Sequence, residues 1–372
     1  MPVRPDVVLP DYGHSTLADL LPAIGAHLGL AGPDPLGLPE GNRWVVLLVD
    51  GLGARQLAAH AAHAPFLSGA TRQLTAGVPS TTVTSLTSLG TALPPGRHGM
   101  VGYTWRDPSD GSLVNLLHWP QEADVSGLDA PPTYLARLAA DGIAVGAVTV
   151  GQFVGSALSR VALSGPVCYP FPDETDEDRR IAETVRAATA GERTVVYAYE
   201  RELDHTGHEQ GVDSPAWRAQ LRRIDAMAER LRDELPDDVR LVVTGDHGMV
   251  DIPPSHLLVV EDTPALSRGV RAVAGEGRFR HAWAEPGLVD EVADRWRTEL
   301  ADRAVVMTRA EAVAAGWYGP VDAHVLGRYG DLVAASLGDW AVVTSTMPGE
   351  ARLVGMHGSL TAAEMCVPLL VV

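Results

Sequence analysis

Four short runs of almost unbroken apolar residues punctuate the chain: Trp44–Val49, Ile143–Val150, Thr194–Tyr199 and Val239–Thr244. Their length, β-branched content and lack of alternation predict strands covered on both faces, as in a parallel sheet between helical layers. The segments between them carry a helical period. Pro132–Ala140 and Glu177–Ala188 read as helices. Ser214–Leu235 reads most clearly, with Ser214 placed to cap, Pro215 at the first helical position, and Trp217, Leu221, Ile224, Ala228, Leu231 and Leu235 on one stripe. Glu364–Val372 reads as a last strand. Alternation of strand and helix predicts an α/β fold built on a mainly parallel sheet.

Two stretches break the rhythm. Residues from about 101 to 131 are rich in Gly, Pro and Asp but hold Tyr103, Trp105 and Trp119, which suits a lid over a site. Residues from about 253 to 353 contain a hairpin signal at Gly275-Glu276-Gly277, helical patterns at Leu288–Leu300 and Ala310–Ala315, and a strand pattern at Ala304–Thr308. They read as a smaller inserted α/β subdomain within one catalytic domain of 372 residues.

Composition narrows the function classes. The formal net charge of −18 disfavours nucleic-acid polymers and anionic membranes. Every basic side chain other than histidine is arginine, which removes Schiff-base and phosphate-loop lysine chemistry. Cys168 and Cys366 are too few for a disulfide framework and have no partner at metal-site spacing. No apolar run approaches the roughly 20 residues that span a bilayer, and Met1–Asp6 shows no signal-peptide pattern, so a cytoplasmic location is expected.

The chemistry gathers at strand ends. Asp50 follows the first run; Asp204 and His208 follow the third; Asp246-His247-Gly248 follows the fourth; His357 lies between Met356 and Gly358. Each has a plainer reading on its own: Asp50-Gly51 as a turn, Asp204 and His208 as loop residues, with His205 a bystander. Together, carboxylates and imidazoles at the C-terminal edge of a parallel sheet can converge, and three Asp with three His suffice for two divalent ions. The stretch Pro79–Ser85 adds a run of hydroxyls at a helix start, where they can cap backbone N–H groups or stand beside a bound phosphate.

In this order the motifs resemble the nucleotide pyrophosphatase/phosphodiesterase family of the alkaline phosphatase superfamily. The resemblance runs from about Trp44 to Val372 through Asp50, Pro79-x-x-Thr82, Leu93–Gly99, Asp204-x-x-x-His208, Asp246-His247-Gly248 and His357-Gly358. It implies an alkaline-phosphatase-like three-layer sandwich and hydrolysis of phosphate diester or pyrophosphate bonds in a small phosphorylated substrate. It implies a phospho-threonine intermediate on Thr82, with Thr81 the fallback. It further implies one divalent ion on Asp204, His208 and His357 and a second on Asp50, Asp246, His247 and Thr82, zinc first and manganese second. His98 matches a family element that is not a ligand. The family's aromatic after the threonine is Val83 here, and its phosphate-contacting Asn falls near Tyr103, with Asn115 the other candidate for that contact. A phosphomonoesterase, a phosphonate hydrolase or a non-catalytic metal-binding protein shares the same residues. A sulfatase does not fit, because the Cys/Ser-x-Pro-x-Arg pattern is missing at the nucleophile. The oligomeric state stays open.

Overall fold

A computed structural model describes residues 7–120, 124–128 and 130–372. The N-terminal hexapeptide and parts of the expected lid, 121–123 and 129, lie outside the described residues. The strands that frame the site are β1 (Arg43–Val49), β2 (Arg72–Thr75), the hairpin β3 and β4 (Thr104–Arg106 and Leu113–Asn115), β5 (Ala144–Val150), β6 (Val167–Phe171), β7 (Thr194–Glu200) and β8 (Val239–Gly245). Among the described residues the central sheet has seven strands, in the order β2, Cys366–Val371, β8, β1, β7, β5, β6. Pairings among β8, β1, β7, β5 and β6 are parallel, while Cys366–Val371 runs antiparallel to both β2 and β8.

Burial on both faces explains the unbroken apolar runs. Along β1, Trp44, Val46 and Leu48 enter one core, and Val45, Leu47 and Val49 enter the other. The first core contains Leu86 and Leu89 of the Thr82–Thr91 helix; the second contains Trp217, Leu221, Ile224 and Leu231 of the Pro215–Glu234 helix. Ser214 caps that helix by accepting from the Trp217 N–H at 3.1 Å. Each buried Leu or Ile on its stripe contributes about 1.5–3 kcal/mol relative to exposure, which outweighs the weak intrinsic stability of an isolated helix. The result is the three-layer α/β architecture expected from the sequence.

One boundary shifts. Glu364 belongs to a short helix, Ala362–Met365, and the last strand begins at Cys366. Inside the 253–353 segment lies a four-stranded antiparallel sheet in the order Val270–Gly275, Phe279–Ala284, Leu332–Ser336, Ala304–Thr308. The helix Val289–Leu300 packs Val292, Trp296 and Leu300 into the core it shares with this sheet. The first two strands form the hairpin signalled by Gly275-Glu276-Gly277, and this turn carries Glu276 back toward the central sheet.

Candidate active site

Register brings the first carboxylates together. β1 and β8 are parallel neighbours with Val49 opposite Gly245, so Asp50 and Asp246, each one residue further on, leave the sheet side by side. Asp246 is held by backbone donors: its Oδ1 accepts from the N–H groups of Gly51 and His247, both at 3.0 Å. Ser85 of the Thr82–Thr91 helix donates to the Asp246 carbonyl at 2.8 Å, tying that helix to the strand end. On the other side of β1, β7 ends at Glu200 and a helix, Glu202–Gln210, follows at once. Asp204 and His208 are four apart on that helix and therefore share a face, rather than sitting in a loop. Gly51 has φ +74°, and a Cβ there would lie 2.9 Å from the Asp204 Cα. Both the turn and the close passage of the helix thus require glycine.

His357 reaches the same place from the far end of the sequence. Gly355–Met356 pairs antiparallel with Val250–Asp251, just after the Asp246-His247-Gly248 turn, and Gly358 accepts from the Ser80 N–H at 3.0 Å. This last bridge sets His357 two residues from the start of the Thr82–Thr91 helix. Thr81 is the extended N-cap and Thr82 the first helical residue, so the Thr82 hydroxyl stands where the helix dipole favours negative charge.

The side chains form two adjacent ligand groups. In one, the ligand atoms of Asp50, Asp246 and His247 lie within 4.8 Å of one another, and all three residues are buried. His247 Nε2 is 3.4 Å from both Asp50 Oδ1 and Asp246 Oδ2, and 3.2 Å from Thr82 Oγ1. In the other, Asp204, His208 and His357 meet the same distance limit and are half-buried. His208 Nε2 is 3.3 Å from Asp204 Oδ2, and His357 Nε2 is 3.9 Å from Asp204 Oδ1. The His247 and His357 rings stack at 3.5 Å, which joins the two groups.

Hydrogen bonding shows how these groups fit cations. Each imidazole presents Nδ1 to a backbone carbonyl: His208 to Gly355 at 2.7 Å, His247 to Gly248 at 3.0 Å, His357 to Ser80 at 3.1 Å. With the proton on Nδ1, all three Nε2 lone pairs face the cluster, the arrangement that orients histidine ligands. Asp50 Oδ1, Asp246 Oδ2 and Asp204 Oδ1 are buried and accept no hydrogen bond. An unpaired buried carboxylate oxygen is costly unless a cation meets it. Burial, followed by the charges of Asp246 and Asp204, pushes the Asp50 carboxyl well above its usual range, against a hydrogen bond donated by Tyr199. Burial also raises Asp246. Burial, and then His247 and His208, hold His357 well below the usual histidine range, hence neutral.

The remaining expected residues sort clearly. Thr81 lines the cavity with Asp204 but bonds its side chain to Glu276. His205 is exposed beside Glu209. His98 is buried, 3.0 Å from the Ser88 hydroxyl and accepting from the Met100 N–H at 3.1 Å. Tyr103 lines the site cavity but donates its hydroxyl to Glu350 Oε1 at 2.7 Å, so that group is already committed. Asn115, at the end of β4, lines the same cavity; its Oδ1 accepts from the His118 N–H at 3.1 Å. Sequence reasoning passed over Tyr199, Glu276 and Glu350. Tyr199 stands one residue before the end of β7, and that position relative to Asp50 was the available signal. Glu276 reads as an ordinary turn residue, and nothing local marks Glu350.

Two cavities flank Thr82, which lines both. One, of about 480 Å³, is walled chiefly by Leu86, Leu116, Trp119, Phe153, Tyr197 and Tyr199. The other, of about 520 Å³, contains Asp204, His208 and His357 with Tyr103, Glu276 and Glu350.

A mostly parallel central sheet with this site at its C-terminal edge is an alkaline-phosphatase-like fold. The fold matches murine ectonucleotide pyrophosphatase/phosphodiesterase 5, in an inactive threonine-to-alanine variant in complex with AMP, at TM-score 0.70 and 22% identity over 88% of this chain and 87% of that one. It also matches phosphonoacetate hydrolase from Sinorhizobium meliloti 1021 in complex with phosphonoformate, at TM-score 0.70 and 21% identity over 90% of each chain. The chain belongs to the type I phosphodiesterase/nucleotide pyrophosphatase family, whose model matches residues 44–360. Members of this family are hydrolytic enzymes acting on phosphoester bonds. Among curated sequences, human ectonucleotide pyrophosphatase/phosphodiesterase family member 7 is 30% identical over 105 residues, 27% of this chain and 23% of that protein. The matched stretch thus spans less than a quarter of that relative.

Proposed function

We propose that the protein hydrolyses phosphate diester or pyrophosphate bonds in small substrates, with Thr82 as nucleophile and two divalent ions held by the two ligand groups. The observation that carries this reading is the convergence of three Nε2 lone pairs and three unpaired carboxylate oxygens beside one helix-start hydroxyl. Asp50, Asp246, His247 and Thr82 would hold one ion; Asp204, His208 and His357 would hold the other. Mixed imidazole and carboxylate donors favour zinc, with manganese second. When bound, such ions ionise a ligated hydroxyl near neutral pH and offset charge on phosphoryl oxygens.

The residues then divide the work. Thr82 loses its proton to solvent and its Oγ forms a bond to phosphorus. The bond from phosphorus to the leaving oxygen breaks, and the electron pair stays with that oxygen. The Thr82–Thr91 helix N-terminus favours the charge on the phosphoryl group. Water then attacks phosphorus from the side the leaving group vacated and gives up a proton; the bond from phosphorus to Thr82 Oγ breaks, and Thr82 regains a proton from solvent. Asp246, fixed by two backbone N–H groups, and the three Nδ1-anchored imidazoles hold the site rigid through both steps. Asn115 is the remaining side-chain candidate for contact with a phosphoryl oxygen.

The test is a single-turnover reaction with a diester substrate followed by acid quench and peptide mapping, with metal content measured in parallel. The expected result is phosphate label on the Thr82 peptide and two ions per chain. Label on Thr81, or an unlabelled protein that still turns over, rejects the mechanism. A phosphonate hydrolase would use the same residues. A carboxylated phosphonate, however, needs a positive group near its carboxylate, and among the described residues no arginine lines the Asp204 cavity.

A further inference from the structure

The two cavities beside Thr82 differ in chemistry. The Asp204 cavity adds two carboxyl groups, Glu276 and Glu350, to the ligand group it contains. Its other titratable lining residues are Tyr103, the exposed His118, and the ligands His208 and His357. The guanidinium closest in chemical role, Arg280, is fully buried and already bonded: it donates to Glu350 Oε2 at 2.5 Å and to the Val342 carbonyl at 2.9 Å. Glu350 also accepts from the Tyr103 hydroxyl. Glu276 has no ion-pair partner among the described residues; its Oε1 accepts from the Tyr103 N–H at 2.8 Å. The position is built with care: Gly358 has φ +129°, and a Cβ there would come within 2.9 Å of the Glu276 Cβ. The chain has no lysine to swing into this space.

In the proposed reaction, the position of Thr82 fixes which part of the substrate meets this cavity. Thr82 Oγ1 stands beside His247, in the buried ligand group. In-line attack from there sends the leaving oxygen toward the opposite side, where Asp204, His208 and His357 lie. The departing alcohol, not the retained group, therefore occupies the cavity that holds Glu276.

We infer that the Glu276 cavity selects the leaving group by charge, accepting an amine-bearing or uncharged alcohol and rejecting pyrophosphate or a carboxylated alcohol, which narrows the two bond types proposed above to the diester. The inference rests on the diester reading and deepens it. Juxtaposed like charges cost more than opposite charges gain in solvent, so a wall of acceptors discriminates chiefly by exclusion. Burial lifts the Glu276 carboxyl to about 8. An ammonium group entering there draws out a carboxylate counter-charge, whereas an anion entering beyond the ion site finds a neutral acid and no arginine among the described lining residues. Glu276 is thus a specificity residue for the departing half of the substrate.

The test uses the metal-loaded full chain and three methyl phosphodiesters whose departing groups are para-nitrophenol, its aminomethyl derivative and its carboxy derivative, with rates corrected for phenol acidity. For the wild type, kcat/KM for the aminomethyl substrate should exceed that for the carboxy substrate by about tenfold or more, equivalent to about 1.4 kcal/mol. Glu276→Gln should shrink that ratio at least about threefold, since it keeps the shape but cannot ionise. Equal rates for the two charged substrates, or an unchanged ratio in Glu276→Gln, overturn the inference. Should Glu276→Gln fail to fold, product inhibition of the wild type decides: the aminomethyl phenol should inhibit at lower concentration than the carboxy phenol, and the reverse order overturns it. If none of the diesters reacts while para-nitrophenyl phosphate does, the diester reading itself falls and takes the inference with it.

Discussion

The two ligand groups touch through stacked His247 and His357 rings, yet they are built differently. Asp50, Asp246 and His247 come from adjacent strand ends and are buried; backbone hydrogen bonds hold Asp246 and His247, and the Tyr199 hydroxyl holds Asp50. Asp204, His208 and His357 come from a helix and a late loop and are half-buried beside an open cavity. The first group is part of the core; the second joins it through His357 and opens to the cavity at Asp204 and His208. The buried group should therefore bind its ion tightly and matter for stability, while the outer group should exchange its ion and matter for the departing oxygen. On the proposed mechanism, the fold would separate a fixed nucleophile side from an adaptable leaving-group side.

The sharpest way to break this division is through Thr82, which belongs to the buried group. Thr82→Ala removes one hydroxyl with no substitute, so kcat should fall by roughly 10³-fold or more while the melting temperature stays near wild type. Thr81→Ala should cost far less, because its hydroxyl faces Glu276 rather than His247. Rates reversed between the two variants would move the nucleophile and with it the assignment of sides.

Ligand substitutions come next. His247→Ala leaves two buried carboxylates without their shared neighbour and should lower both metal content and thermal stability. His208→Ala should lose one ion per chain and most activity but little stability, because its ring is partly exposed. Elemental analysis and melting curves on the same samples check the contrast. Equal stability losses in the two variants would erase the distinction between a core site and a surface site.

How much of this was legible beforehand follows the same line. Asp50, Asp246 and His247 follow apolar runs whose parallel register alone makes them neighbours, so the sequence pattern nearly dictates the buried group. Asp204 and His208 were visible only as a spaced pair. Their helix, Glu202–Gln210, buries just Leu203 and Gly207, too little to leave an apolar stripe. Strand Phe279–Ala284 was hidden for another reason: it is buried throughout, including Arg280 and His281, so its polar residues read as exposed positions. Arg280 is satisfied by Glu350, 70 residues away, a pairing no local pattern reveals. Tyr103 shows the limit of position-matching, since its hydroxyl is spent on that same distant Glu350.

Metal removal gives a smaller but sign-specific effect. The Asp50 carboxyl is raised in the folded chain by burial and by neighbouring carboxylates. A raised acid contributes stability that is fully present below its unfolded pKa, near 4, and is lost as pH rises through its folded value. With chelator present, the melting temperature should fall as pH rises above about 4, by about 1–2 °C for each kcal/mol lost in a chain of this length. Added zinc should remove that slope, and Asp50→Asn should flatten it without metal. An identical slope in Asp50→Asn would show that the buried group carries no strain for an ion to relieve.

The smallest effect concerns the space between the two groups, where a phosphoryl oxygen would sit. Asn115 and Tyr103 both line the Asp204 cavity, but only the tyrosine hydroxyl is tied to a carboxylate. The Asn115 oxygen is turned to the His118 N–H, which orients its amide from the end of β4. Asn115→Ala should therefore lower kcat/KM for a diester by about tenfold, the scale of one hydrogen bond to a charged group. Tyr103→Phe should change it by less than about threefold, because the lost bond is to Glu350 and not to substrate. A larger loss in Tyr103→Phe would mean that the Tyr103–Glu350–Arg280 chain positions the phosphoryl group after all. The leaving-group side would then be as rigid as the nucleophile side.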